Sequence, residues 1–456
     1  MPSNALPTEK AVLNYKDATT VLMGVYDGMQ RDSYYGAEMI AIAEVQGDAM
    51  QATSSGKRTS SFYEMSYNAQ ASPAIWSTPY NQIRRANNLL QAIEAGKADK
   101  DAKAGQVDII KGQVLALRAL NHFDLVRLYG KPYSADKGAS LGVPIVLKPL
   151  TPEVKSSRST VAAVYDQILA DLKDAVALLA KSEAQTPNNG RINLWSAKAL
   201  YARVCLYHGD NDLALSLAKD IITSSPYKLL TNEEYKGAWA DGGVNSEMMF
   251  QVVNNKIDNA DRESLSYLMS ENGYEDMIIT KKMVDYMSAN PLDVRKGLMI
   301  PSHKEATNVK LYGKSAVWLN KYPGVGNDPR INSVPVIRLS EVYLIAAEAA
   351  FKVGNMADAS TYLNAIAKRN PALGTVVPTL QSIMDQRNVE LIGEGHRSFD
   401  LMRNGMVSDR SVRWSYVFSE PKSISYDNTY FRSILPIPLS EVDANEVIAA
   451  QQNPGY

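Results

Sequence analysis

Cysteine is nearly absent from this 456-residue chain; the single one is Cys205. That rules out an internal disulfide framework and a thiolate-clustered metal site. With Val204 and Leu206 beside it, Cys205 reads as a small apolar core residue. The four histidines, His122, His208, His303 and His396, are scattered and show no HExxH spacing, so no metal and no cofactor is expected. Net charge is −1, with no run of like charges, which removes the electrostatic footprint of a nucleic-acid binder. No apolar run approaches a membrane span, and no signal peptide opens the chain. The GxxxxGK[ST], GxGxxG and GxSxG motifs are missing too, which leaves nucleotide and hydrolase chemistry without a sequence basis. Phenylalanine is scarce, at 7 residues against 25 tyrosines. An apolar ring with a polar tip suits half-exposed binding surfaces, although helical repeats also pack with it.

What is present is helical periodicity, with 45% hydrophobic residues overall. Thr78-Pro79 reads as a helix start, followed by Ile83, Ala86, Leu90 and Ile93 on one face. Residues 107–129 place Ile110, Val114, Leu117, Leu125 and Leu128 at three-and-four spacing, and residues 160–180 do the same from Val161 to Leu179. An internal repeat follows. LYARVCLYHGDNDLALSLAKDII (200–222) and LIAAEAAFKVGNMADASTYLNAIA (344–367) each read as helix, glycine turn, helix. Aligning Gly209 with Gly354 brings Ala214 onto Ala359 and Ile221 onto Ile366, a tetratricopeptide-like pairing that needs stacked partners.

Between these blocks the chain turns irregular. Residues 130–158 carry four prolines and predict a long crossing loop. Residues 31–72 and 225–336 lack sustained periodicity, apart from a strand at 247–253 and a short helix at 280–289. The fold class expected is therefore mainly α: a tetratricopeptide-like scaffold (about 10–30, 73–224 and 337–456) with a few short strands. A long irregular face, in a single domain spanning 1–456, should hold the ligand. The closing segment, ILPIPLSEVDANEVIAAQQNPGY, is too ordered for a loose tail. Pro436 and Pro438 enforce an extended stretch, Ser440 with Asp443 signals a helix start, and Asn453-Pro454-Gly455 stops the helix before Tyr456.

That ending resembles the end of the SusD/RagB family, and five further blocks resemble the family in order. They are YKDATTVLMGVYDGM (15–29), IWSTPYNQIRRANNLL (75–90), GQVLALRALNHFDLVRLYGKPY (112–133), IRLSEVYLIAAEAA (337–350) and RNVELIGEGHRSFDLMRNG (387–405). The resemblance implies a nutrient-binding protein at the cell surface. It would be lipid-anchored in the outer membrane and partnered with a SusC-like TonB-dependent transporter. Most members bind glycans, and the RagB-like branch is associated with peptides. The lipidated cysteine is not in this sequence, so the anchor is expected from the resemblance alone.

The most enzyme-like cluster is Glu390, Glu394, His396, Arg397, Asp400 and Arg403. Its charges alternate in sign at three-residue steps from Glu394 on, as in a salt-bridged helix, so it is read as structural and the protein as no enzyme. Sugars stack on aromatic rings and bond their hydroxyls to a few polar groups. On that ground the ligand-binding candidates lie in the irregular stretches: Tyr35, Asp48, Tyr63, Tyr67 and Asn68 in the first, and Trp239, Tyr274, Tyr312, Trp318 and Tyr322 in the second. Trp76 and Trp195 sit in helical blocks and are expected in the core. The leading expectation is a glycan-binding uptake protein, with a peptide ligand as the alternative. A tetratricopeptide adaptor holding a protein tail, and last a hydrolase, complete the range.

Overall fold

A computed structural model describes residues 11–53, 58–151, 153–181, 190–240, 242–301, 317–326, 328–414 and 423–456. Helices dominate, and the periodic stretches fold as expected. Ser77–Glu94 packs on Gln106–Tyr129, which packs on Val161–Leu179, which packs on Leu194–His208. The N-cap of Val161–Leu179 is Thr160, whose hydroxyl accepts from Ala163 N at 3.2 Å. Asn193 and Ser196 form a reciprocal capping box on Leu194–His208. Thr78 is not the cap expected of it. The helix already begins at Ser77, behind a single 3-10 turn at Ala74–Trp76, and Thr78 shares a 2.7 Å hydrogen bond with Ser33 instead.

The repeat is real. Leu194–His208 pairs with Asn211–Ser224, and Leu339–Lys352 pairs with Met356–Ala367. Gly209 and Gly354 stand between them at φ of 102° and 79°, a left-handed backbone that a side chain would strain. Asn211–Ser224 also packs on Leu339–Lys352, so the two repeats bury each other's faces. Ala214, Ile221, Ala359 and Ile366 are all fully buried at that stack. Cys205 lies within it, its thiol pushed up to about 12 by burial.

The strands among the described residues pair only two by two. Met248–Val252 runs antiparallel to Val334–Arg338, Met50–Ala52 to Met277–Ile279, Met299–Pro301 to Val317–Leu319, and Ser408–Asp409 to Ser425–Tyr426. One hydrophobic cluster runs through the fold from Val12 to Ile448. Among the described residues no helix is long and apolar enough to cross a membrane.

The stretch 31–72, expected as an irregular face, departs most from the expectation. It contains the helix Glu38–Val45, in which every residue from Met39 to Val45 is buried. So apolar a helix has to be enclosed by its neighbours, and its buried Glu44 accepts from Gly395 N at 2.8 Å and His396 N at 3.2 Å. The described part of the 130–158 connection crosses as a loop apart from one helical turn, Tyr133–Asp136. Arg158 organises it from inside, donating to Gly142 O at 2.7 Å, Leu141 O at 2.9 Å and Tyr129 O at 3.0 Å.

The C-terminal segment docks on the first half of the chain. Leu435 N donates to Leu128 O at 2.7 Å, Leu439 N to Ala69 O at 2.8 Å, and Asn453 Nδ2 to Tyr129 O at 2.9 Å. The Tyr456 hydroxyl closes the arrangement on Ile434 O at 2.8 Å. The expected Ser440 cap does not form, because Pro438 sets the start of Leu439–Ala444 and leaves Ser440 inside it. The side-chain cap falls instead to Asn445, on a second short helix, Glu446–Ala449.

The Glu390 cluster is an ion network, formed mostly between elements. Arg338 donates to Glu247 at 2.8 Å, to Glu390 at 2.8 Å and to Glu394 at 2.8 and 2.9 Å. Lys321 bonds Glu394 at 2.6 Å, Arg369 bonds Glu247 at 2.6 Å, and Arg295 bonds Asp293 at 2.7 Å and reaches Glu390 at 3.5 Å. All eight side chains are buried, four cations against four carboxylates, so the group is neutral as a whole. A second buried set joins Arg387 and Arg403 to Asp400, and Arg403 to Glu348. Burial pushes Glu390 up, but Arg338, Arg369 and Arg295 outweigh it and hold the carboxyl well below the usual range. A carboxylate fixed in that way suits neither an acid nor a base; its role is structural.

Candidate functional site

Most of the ligand candidates chosen from sequence lie in the core. Tyr35, Tyr63, Tyr67, Trp239, Trp318 and Tyr322 are all buried, so their rings face other side chains rather than solvent. The Tyr67 hydroxyl donates to Arg432 O at 2.5 Å, and the Tyr322 hydroxyl to Gly393 O at 2.8 Å. Trp239 carries Lys321 Nζ at 4.8 Å and the Arg338 guanidinium at 5.3 Å over its ring, which makes it a wall of the ion network. Tyr35 packs tilted against Tyr34 with ring centroids 4.8 Å apart, and Trp318 sits on a strand paired with Ile300. Asp48 is buried against Arg397 at 2.5 Å and Lys282 at 2.7 Å. Asn68 is exposed but caps a local turn, accepting from Ala71 N at 2.9 Å. Tyr312 lies outside the described residues. Trp76 is core, as expected, whereas Trp195 is half-buried under Lys198.

Two of the candidates stand at clefts: Asp48 lines one with Lys282 and Arg397, and Tyr274 adjoins another through Arg58. Tyr274 is half-buried, and its ring meets that of Tyr267 edge to face at 4.9 Å. A turn through Asn272-Gly273 brings the two together, closed by Tyr274 N donating to Tyr267 O at 2.9 Å. Tyr267 itself is held by the short helix Leu265–Met269, capped by the Ser264 hydroxyl. The Arg58 guanidinium lies 3.6 Å over the Tyr274 ring and pairs with Glu263, one nitrogen at 2.6 Å. Arg58 is positioned by the following residue: Thr59 is buried, and its hydroxyl donates to Asp276 O at 3.0 Å. A hydrogen bond from Arg58 holds the Glu263 carboxyl below its ordinary value.

Next to this pair is a cleft of about 220 Å³, lined by Asp32, Glu38, Arg58, Thr59, Phe62 and Glu263 among others. Burial, then the nearby Asp32 charge, pushes the Glu38 carboxyl up to about 8, against N–H donation from Ala74 and Ile75. Its Oε2 has no hydrogen-bond partner among the described residues. The cleft thus offers a carboxyl with spare bonding capacity, two further acids and a guanidinium, with the edge-to-face tyrosine pair against that guanidinium. This inventory grips hydroxyl groups and an apolar ring face together. It contains no base-activated nucleophile, and among the described residues no group of metal-ligating side chains forms.

A structure of a SusD superfamily protein from Bacteroides thetaiotaomicron matches 97% of this chain and all of its own, at 35% identity and a TM-score of 0.90. The chain belongs to the SusD/RagB family. Two family models cover it in order: "Starch-binding associating with outer membrane" over residues 3–206, and the SusD family model over 299–456. SusD-like protein P25 of Formosa agariphila is 25% identical over 84% of this chain and 79% of its own length. The surface glycan-binding protein A of Bacteroides thetaiotaomicron, solved in complex with laminarihexaose, shares the fold at a TM-score of 0.75 and 21% identity, over 96% of this chain and 99% of its own. The helical-repeat architecture of this SusD-family chain is thus a family property.

The residues that sequence reasoning missed are Arg58, Glu263, Tyr267, Asp32 and Glu38. A usable signal existed for one of them. Asn272-Gly273 marks a tight turn, and two tyrosines flanking such a turn are brought into contact.

Proposed function

We propose that this protein is a cell-surface glycan-binding protein. It captures oligosaccharide for import through a SusC-like TonB-dependent partner in the outer membrane, and it performs no catalytic step. In this reading residues 1–456 act as one unit, lipid-anchored in the native form. The observation that carries the proposal is the Tyr267–Tyr274 pair under Arg58, beside the carboxyl-lined cleft. A sugar ring would stack on the tyrosines while Arg58, Glu263 and Glu38 bond its hydroxyls. The family relationship and a glycan complex on the same fold support it. A peptide ligand is the second reading, favoured by the concentration of ionic groups in the cleft.

Titration calorimetry with glucan, mannan and xylan oligosaccharides, and in parallel with a peptide set, tests the assignment. Each lost stacking or hydrogen-bonding contact is worth about 1 kcal/mol. Tyr274→Ala combined with Arg58→Ala should therefore weaken glycan binding roughly thirtyfold, at about tenfold per 1.4 kcal/mol. Saturable peptide binding without any glycan signal would move the assignment to the RagB-like reading. Glycan binding untouched by both substitutions would place the site elsewhere.

A further inference from the structure

A second cleft, of about 140 Å³, opens near the other end of the Glu38–Val45 helix, where Asp48 follows it. Its walls come from the helices Lys281–Ala289 and Leu380–Glu390 and from Arg397, which begins the helix Arg397–Arg403. Arg397 spends Nε and Nη2 on Asp48, at 2.5 and 3.1 Å. Its third nitrogen, Nη1, is buried and has no partner among the described residues, although the residue is only 8% exposed. The Asn388 side-chain oxygen Oδ1, on the same cleft, is likewise buried and unmatched among the described residues. Leaving a buried polar atom unbonded costs about 1–3 kcal/mol, so a donor and an acceptor left open together favour a ligand that both gives and accepts hydrogen bonds.

The rest of the lining narrows the ligand class. Arg397 and Lys282 face Asp48 and Asp385, two charges of each sign, which suits neither an anion nor a bare cation. The half-buried Tyr286 ring and Met283 supply an apolar wall. A single water needs only about 10–15 Å³, so the cleft is oversized for one. Neutral, hydroxyl-rich, with an apolar face and the bulk of one ring: we infer that this cleft is a second sugar site, taking a single monosaccharide unit, separate from the Arg58 cleft. The inference rests on the glycan reading for its ligand class, but on different residues.

Saturation-transfer NMR on the full chain with D-glucose, D-galactose, D-mannose and N-acetyl-D-glucosamine tests it. At least one sugar should give a signal that falls tenfold or more in Tyr286→Ala and in Asn388→Leu, and that persists in Arg58→Ala. Should either cleft variant melt below the wild type, Asp385→Asn and Gln381→Ala on the exposed rim replace it. Loss of the signal only in Arg58→Ala, or equal signals in all variants, overturns the second site and leaves the first intact. No monosaccharide signal from a protein that still binds oligosaccharide does the same. Monosaccharide binding lost with Tyr286→Ala, in a protein that binds no oligosaccharide, would uphold this site and sink the Arg58 cleft.

Discussion

Arg338 is the position where the ion network can be tested as a source of stability. Its guanidinium serves three carboxylates and a backbone carbonyl, and its side chain is 1% exposed. Arg338→Met keeps much of the volume but takes the eight-group network from neutral to a net charge of −1, with Glu247, Glu390 and Glu394 each losing a partner. Removing one partner of a buried ion pair costs about 3–5 kcal/mol. Against a typical total of roughly 5–15 kcal/mol, that is a large fraction of the stability. Arg330→Ala is the control. Arg330 pairs with Asp328 at 2.6 Å and Asp261 at 3.1 Å, but its side chain is 44% exposed, where water and salt screen the pairs and they add little stability. Urea denaturation at pH 7 and pH 4 is the assay. In the wild type the folded Glu390 and Glu394 are held below the unfolded value of about 4.3. Their stabilisation is therefore complete above that pH and is lost as pH falls through the folded values. In Arg338→Met the same carboxyls lose their main cation and rise, so protonation relieves them and the deficit should narrow toward pH 4. A loss no larger than that of Arg330→Ala, or a deficit identical at both pH values, would refute the reasoning.

Two further outcomes are expected. Deleting residues 434–456 removes the buried Leu435, Ile437 and Ile448, worth about 1.5–3 kcal/mol each, so the truncated chain should show no cooperative melt; an unchanged Tm would show the segment to be passive. Glu38→Gln should be more stable than the wild type at pH 9 and no better at pH 4. A carboxyl raised to about 8 in the folded state favours folding only while protonated, and its contribution is lost between the unfolded value and 8, which differential scanning fluorimetry across pH would follow.

The scaffold was legible because helices announce themselves locally. Three-and-four spacing located Gln106–Tyr129 and Val161–Leu179, and the paired Gly209 and Gly354 located the repeat. The ligand face was much less legible, for two physical reasons. EMIAIAEV has only Glu38 and Glu44 among apolar residues, so it shows no amphipathic period, and the segment reads as a loop although every residue from Met39 to Val45 is buried. Aromatics in such segments then looked available when they were packed: Tyr63, Tyr67 and Trp239 are among the largest fully buried side chains. The rim itself depends on a contact between Arg58 and Glu263, 205 residues apart, and no local pattern reports a pairing of that span. Tyr274 was found on residue type, and its partner Tyr267 was missed because the turn between them went unread.

The docking of the last residues onto the first half has a consequence for how the molecule comes into being. Leu435, Leu439 and Asn453 bond to backbone near residues 69, 128 and 129. A chain supplied from its N-terminus, by a ribosome or through a translocation pore, holds the helix around Leu128 long before the extended segment that covers it arrives. Until residues 434–456 emerge, the backbone groups at Ala69, Leu128 and Tyr129 lack these partners. Docking of residues 434–456 then supplies them.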